Sequence, residues 1–231
     1  AILIMPISSL SLLVQPSVQR YLIEHENDDE GALVLKQKEI LGIPSILIAS
    51  QIIGRRKAKA KLPTWYNTND IVYPPTINLE QCSSEATAIF KTQLIKSIVS
   101  TCRCAADITG GFGVDTFFLS SIFNTVSYTE PNDELLEITR HNHHQLGVSG
   151  ITYHHLTAEA FIKEIDSPLD LVYLDPSRRD GNSRKVYRLS DCVPDITALQ
   201  SELFDKCRFM MVKASPLLDI QQGLREIRFV K

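Results

Sequence analysis

The sequence has no dominant charge of one sign. Its 231 residues carry 24 Lys and Arg against 27 Asp and Glu, a net charge of −3. No global basic footprint announces nucleic acid, so any such contact must come from a local patch. The five cysteines (82, 102, 104, 192 and 207) form no C-x-x-C pair. They read as the reduced thiols of a cytoplasmic protein. Long apolar runs are also missing. Ala1-Ile-Leu-Ile-Met5 is short, is interrupted by Pro6 and Pro16, and lacks a basic lead. It reads as neither a membrane span nor a signal peptide. Histidines 141, 143, 144, 154 and 155 lack a cysteine or carboxylate frame, so no metal site is expected. There is no internal repeat and no low-complexity segment. The first residue is not Met and the chain stops at Phe229-Val-Lys231; both ends read as those of a fragment.

What is present is organised around Ala105-Ala-Asp107-Ile-Thr-Gly110-Gly111-Phe112-Gly113-Val-Asp115-Thr116. An apolar lead-in, a glycine cluster and a second apolar run spell strand, tight loop and helix. Glycine lets the backbone take positive φ and approach a ligand closely. The free N–H groups of the following helix point back at the same spot. Such a loop, after the first parallel strand, is where doubly wound sheets bind cofactors. The dinucleotide fingerprint G-x-G-x-x-G is incomplete: Gly111 and Gly113 fit, but Thr116 holds the third position. Glu130 ends a plausible second strand and is placed for ribose hydroxyls. A nucleoside-bearing ligand therefore fits without a pyrophosphate being demanded.

From Cys102 the chain alternates short strands and helices. Predicted strands are 102–108, 125–130, 151–156, 170–174 and 208–213. Helices are predicted at 114–123, 132–146, 158–165 and 195–206. That rhythm argues for a Rossmann-like, doubly wound, mostly parallel α/β sheet covered on both faces. Residues 1–85 read as a helical N-terminal region. Val18, Tyr21 and Leu22 form one apolar stripe. A second helix is predicted over 32–41, stopping at Gly42. A third is predicted over 46–53, capped by Ser45 and ended by Gly54. Ser83 or Ser84 is expected to cap a helix that runs to about Ser100.

Two segments concentrate positive charge. Arg55, Arg56, Lys57, Lys59 and Lys61 precede Trp65 and Tyr66, a composition suited to phosphate contact and base stacking. Arg178, Arg179, Arg184, Lys185 and Arg188 follow Asp175-Pro176-Ser177. They read as a mobile basic loop that grips phosphate. Asp175 ends an apolar strand, and Pro176 fixes the direction of the loop after it.

These motifs resemble a known family. Asp107-Ile-Thr-Gly-Gly-Phe-Gly-Val-Asp115 looks like motif I of class I S-adenosyl-L-methionine (SAM)-dependent methyltransferases. With Asp175-Pro-Ser-Arg-Arg-Asp-Gly181 and Val212-Lys-Ala-Ser-Pro216, the chain resembles the bacterial methyltransferases that carry a THUMP-like domain. The resemblance spans roughly Lys61 to the end. It implies a methyltransferase domain over 86–231, truncated before the family's last strands, with SAM as cofactor and RNA as partner. It implies that Asp107 meets the methionine ammonium, and that Gly110, Gly111, Phe112 and Gly113 let the cofactor approach. Ala158 and Glu159 match where the family contacts adenine. The segment before motif I lies near the cofactor in the family. Asp175-Pro176-Ser177-Arg178 resembles the [D/N]-P-P-x motif, whose carboxylate accepts from an exocyclic amine. Asp175, Pro176 and Arg178 are thereby the expected catalytic residues; Arg55, Arg56, Lys57, Arg179, Arg184 and Lys185 are the expected substrate contacts. Lys213-Ala-Ser-Pro216 is placed to line the substrate side. Two alternatives stay open: an RNA-binding module with a vestigial cofactor site, and a nicotinamide-dependent oxidoreductase.

Overall fold

The structure, a computed structural model, describes residues 8–178, 188–214, 218 and 220–227. In chain order it opens with α1 (Ser8–Leu13), α2 (Pro16–Glu24), α3 (Glu30–Lys36), β1 (Glu39–Ile40), β2 (Ile43–Pro44) and α4 (Ser45–Lys61). Then come α5 (Pro63–Asn67), α6 (Thr76–Gln81), α7 (Glu85–Ile98), β3 (Cys104–Asp107), α8 (Val114–Ser120), β4 (Thr125–Thr129), α9 (Asp133–Gln145) and β5 (Ile151–His154). The last stretch holds α10 (Ala158–Glu164), β6 (Leu169–Leu174), β7 (Ser177–Arg178), β8 (Cys192–Val193), α11 (Ile196–Lys206), β9 (Cys207–Val212) and α12 (Ile220–Glu226). No described helix is long and apolar enough to cross a membrane.

The chain forms two compact units that interleave in sequence. One gathers Ala1–Gln93, Gly111–Phe118 and Asn132–Ser149; the other gathers Leu94–Gly110, Leu119–Pro131 and Gly150–Lys231.

In the first unit, α2 buries Val18 and Leu22 as the stripe predicts, in a core with Trp65, Ile48, Ile52 and Phe112. Two helix boundaries differ from expectation. The second helix is α3, capped by Asp29, and it ends at Lys36. Residues 39–44 form a β-hairpin instead. Its corner residues Leu41 and Gly42 both have positive φ, 53° and 74°. That pair of conformations makes a tight hairpin turn, so Gly42 is a turn residue and not a helix stop. The third helix does not end at Gly54: α4 runs for 17 residues, to Lys61. A Cβ at Gly54 would sit 2.4 Å from Tyr73 Cβ, so this glycine serves close packing. Ser45 is the first helical residue, and no side chain caps the helix. The extended chain beside Tyr73 is held by amides. Gln51 bonds the N–H and C=O of Tyr73, both at 2.8 Å, and Asn142 bonds those of Val72 at 3.0 and 2.8 Å.

The second unit is built on a five-stranded parallel sheet in the order β5-β4-β3-β6-β9. Every predicted strand is present, with ends within two residues of expectation. Both faces are covered, because successive side chains point to opposite sides. Ala105, Leu171 and Tyr173 pack with Ile95, Val99, Leu119 and Phe123. Ala106, Val172 and Leu174 pack with Phe161, Ile162, Ile196 and Leu203. At the amino edge, the buried Asp170 accepts the N–H of Arg103 at 2.8 Å and that of Cys104 at 3.3 Å. The guanidinium groups of Arg103 and Arg208 approach the same carboxylate, at 3.8 and 3.7 Å.

Candidate active site

The sheet's winding reverses between β3 and β6, and ligands of open α/β sheets bind at such a switch point, beyond the carboxyl ends. Asp107 is the last residue of β3 and is 1% exposed. Its Oδ1 accepts the Thr109 N–H at 3.1 Å, with the Thr109 hydroxyl at 3.5 Å. The Thr109 oxygen in turn accepts the N–H of Asp175 at 2.6 Å. Asp175 directly follows β6, and its carboxylate meets Lys213 Nζ at 2.5 Å. Lys213 directly follows β9 and donates its backbone N–H to the Leu174 carbonyl at 2.8 Å. Asp107, Thr109, Asp175 and Lys213 are thus one polar chain across three adjacent strand ends.

On the other side of β3, Gly110 donates its N–H to the Thr129 carbonyl at 2.9 Å. A Cβ there would sit 2.2 Å from the Tyr128 ring, so only glycine lets the loop lie against β4. Glu130 follows β4, is buried, and donates its N–H to the His154 carbonyl at 3.1 Å. The next turn is pinned by His155 Nε2 on the Pro131 carbonyl at 2.9 Å. Ala158 and Glu159 form the first turn of α10, capped by Thr157; Ala158 is buried and Glu159 exposed. The backbones of Ser177 and Arg178 pair with Val193 and Cys192. Asp107, Gly110, Glu130 and Asp175 therefore come together on one edge of one sheet. Arg179, Arg184 and Lys185 lie outside the described residues, as do Ser215 and Pro216.

The glycine loop continues in the first unit. Gly111 and Gly113 have φ of 54° and 73°, a region that favours glycine. Phe112 is buried in the core around Trp65. From α9, Thr139 donates its hydroxyl to the Gly111 carbonyl at 3.1 Å, and His143 Nε2 lies 2.9 Å from the Gly113 carbonyl. Burial pushes the His143 imidazole down to about 4. Thr116, in the third fingerprint position, is fully buried on α8. Ser84 caps α7 through the Thr87 N–H at 3.2 Å. Ser83 instead bonds Asp115 at 2.8 Å, and Lys91 pairs with the same carboxylate.

The basic segment of 55–61 is the second half of α4. Arg55 pairs with Glu26 at 2.9 Å and stacks on Tyr66, with its guanidinium carbon 4.4 Å from the ring centre. Arg56 pairs with Glu30 and Lys57 with Glu80. Among the described residues, no cluster of three His, Cys, Asp or Glu side chains is arranged to hold a metal ion. His141 bonds the Asp70 carbonyl at 2.7 Å. Sequence reasoning missed Thr109, Thr139 and His143 as site residues, and it missed the partner of Lys213. The one available signal was the Lys213 motif at the end of the fifth strand.

No protein-family model matches the chain, and no curated protein matches it. Solved structures do. The "putative methyltransferase" of Porphyromonas gingivalis W83 aligns with a TM-score of 0.76 and 26% identity, over 96% of this chain and 53% of that one. An rRNA methylase from Streptococcus thermophilus aligns at TM-score 0.41 and 13% identity, over 53% of this chain and 69% of that one. SMU.1697c of Streptococcus mutans, solved in complex with SAH, aligns at 0.41 and 16%, over 52% and 65%. The chain spans about half the length of the Porphyromonas gingivalis protein. Over nearly all of its own length it shares that protein's fold.

Proposed function

We propose that the chain is the catalytic part of a SAM-dependent methyltransferase that acts on a base in RNA. One observation carries the reading: Asp107, Glu130 and Asp175 end or follow three neighbouring strands of one parallel sheet. The likeness to the Porphyromonas gingivalis protein supports it. Carboxylates accept hydrogen bonds at several lone-pair sites. A ligand presenting an ammonium and two ribose hydroxyls would offer donors to Asp107 and Glu130, so the acceptor set fits SAM.

Asp107 would accept from the methionine ammonium and Glu130 from the ribose hydroxyls. Gly110, Gly111, Phe112 and Gly113 would form the close-approach loop, with Ala158 and Glu159 beside the adenine. The bound cofactor supplies an electrophilic methyl group. The protein's task is then to align the nucleophile and exclude water. Asp175 would accept a hydrogen from an exocyclic amine and hold its lone pair toward the methyl group. Lys213 keeps that carboxylate in place, Pro176 sets the direction of the loop, and Arg178 would follow on the RNA side.

The RNA assignment rests on charge in the sequence. Arg178, Arg179, Arg184 and Lys185 follow the catalytic loop. Arg55, Arg56 and Lys57 would join by exchanging carboxylates for phosphates. Calorimetric titration with S-adenosylhomocysteine (SAH), in parallel with NADH, tests the cofactor. Transfer of labelled methyl from SAM to total RNA tests the acceptor. SAH binding with label in RNA is expected. Binding of NADH but not SAH overturns the reading. Binding of SAH without label in RNA overturns the acceptor alone.

A further inference from the structure

We infer that Thr139 and His143 are positioning residues for the cofactor loop: from α9 they fix the peptide planes Gly111–Phe112 and Gly113–Val114. The inference rests on the SAM reading above and adds two residues to it.

The argument starts from spacing. Thr139 and His143 are four residues apart on α9, so they share a face one turn apart. Each reaches a different carbonyl of the same loop, Gly111 at 3.1 Å and Gly113 at 2.9 Å. In a trans peptide the carbonyl and the next N–H point in opposite directions. Holding the two oxygens toward α9 therefore turns the N–H groups of Phe112 and Val114 away from it. On the SAM reading, those N–H groups would be the loop's donors to the cofactor's carboxylate.

Glycines need this restraint more than other residues, because both signs of φ are open to them. A loop that sampled both would have to be ordered by the ligand, at a cost in affinity. The two α9 donors select the conformation in advance. The fit is close as well: a Cβ on Gly113 would lie 2.4 Å from Thr139 Cγ2 and 2.8 Å from His143 Cε1. His143 is 1% exposed and stays neutral down to about pH 4. A neutral imidazole facing a carbonyl must carry its proton on that nitrogen, so Nε2 is the donor.

The rival explanation is simple packing, and two substitutions at one site separate them. Thr139→Val keeps the shape and deletes the hydroxyl. Thr139→Ser keeps the hydroxyl and deletes the methyl. SAH affinity is measured by calorimetry, beside the melting temperature of each variant. Thr139→Val is expected to weaken SAH about tenfold, the worth of one hydrogen bond. Thr139→Ser is expected to stay within about twofold of wild type, whatever its melting temperature. His143→Leu is expected to behave like Thr139→Val. As a second readout, the amide NMR signals of Phe112 and Val114 in ligand-free Thr139→Val should broaden or shift.

Equal losses in Thr139→Val and Thr139→Ser, tracking stability, would overturn the inference and leave the SAM reading intact. Unchanged affinity and unchanged amide signals in Thr139→Val would do the same. Wild-type protein that fails to bind SAH would remove the SAM reading, and the inference with it.

Discussion

The hydroxyl oxygen of Thr109 sits 2.6 Å from the backbone nitrogen of Asp175. The residue that shapes the loop after β3 thus also holds the first residue after β6. The same threonine donates its N–H to Asp107. Asp107, proposed for the cofactor, and the backbone of Asp175, proposed for the nucleophile, are consequently linked through one residue.

Thr109→Val should break that link without changing the volume of the side chain. It removes the hydroxyl acceptor of the Asp175 N–H, a part-buried bond worth about 0.5–1.5 kcal/mol. Turnover should fall more than SAH affinity, and Thr109→Ser should restore both. Urea denaturation and single-turnover kinetics measure the two effects.

The carboxylates proposed to hold the cofactor and the one proposed to orient the nucleophile should separate cleanly on substitution. Asp107→Asn and Glu130→Gln should each weaken SAH by about 10- to 100-fold, the worth of a charge-assisted hydrogen bond. Asp175→Asn should leave SAH affinity nearly unchanged and slow methyl transfer by about 10²- to 10⁴-fold. Lys213→Met should slow transfer less, because it loosens the carboxylate and does not remove it. Calorimetry and labelled-methyl transfer read the two sets.

Gly54→Ala should destabilise the protein, against the usual helix preference. In an exposed helix interior, alanine gains about 0.5–1 kcal/mol over glycine. Here the added carbon would lie 2.4 Å from Tyr73 Cβ and 2.8 Å from its Cγ. Overpacking of that kind costs about 1–3 kcal/mol, so it outweighs the propensity. The melting temperature should drop.

His143 should make stability fall with acid. Its folded-state pKa, about 4, lies below the value near 6.5 of an unfolded histidine. The unfolded chain therefore binds the extra proton first. The contribution is fully present above about pH 6.5 and is lost progressively as pH falls toward 4. In His143→Gln, the slope of unfolding free energy between pH 4 and 6.5 should be shallower. Equal slopes in the two proteins would refute the assignment.

The sheet was legible in the sequence because short apolar strands alternate with helical segments, and both signals are local. Asp107, Glu130 and Asp175 were legible as carboxylates at strand ends. The hairpin at 39–44 was not, since its apolar residues mimic a helix ending at glycine. Gly54 misled for a related reason: the sequence does not reveal whether a glycine breaks a helix or admits a neighbour. Thr109, Thr139 and His143 act on backbone groups 28 to 66 residues away. No local pattern marks such partners. The cations on α4 are answered by Glu26, Glu30 and Glu80, partners that no local pattern marks either.

Asp170 has a consequence for how freely this scaffold can change. It clasps β3 and β6 at the amino edge, through two backbone N–H groups of the neighbouring strand. A one-residue slip between parallel strands would move every side chain to the wrong face, and this carboxylate guards against it far from the reacting groups. Loops at the opposite rim can therefore be lengthened, swapped or redesigned without the strands losing alignment. A protein engineer would keep residues 103, 104 and 170 fixed and treat the other rim as editable.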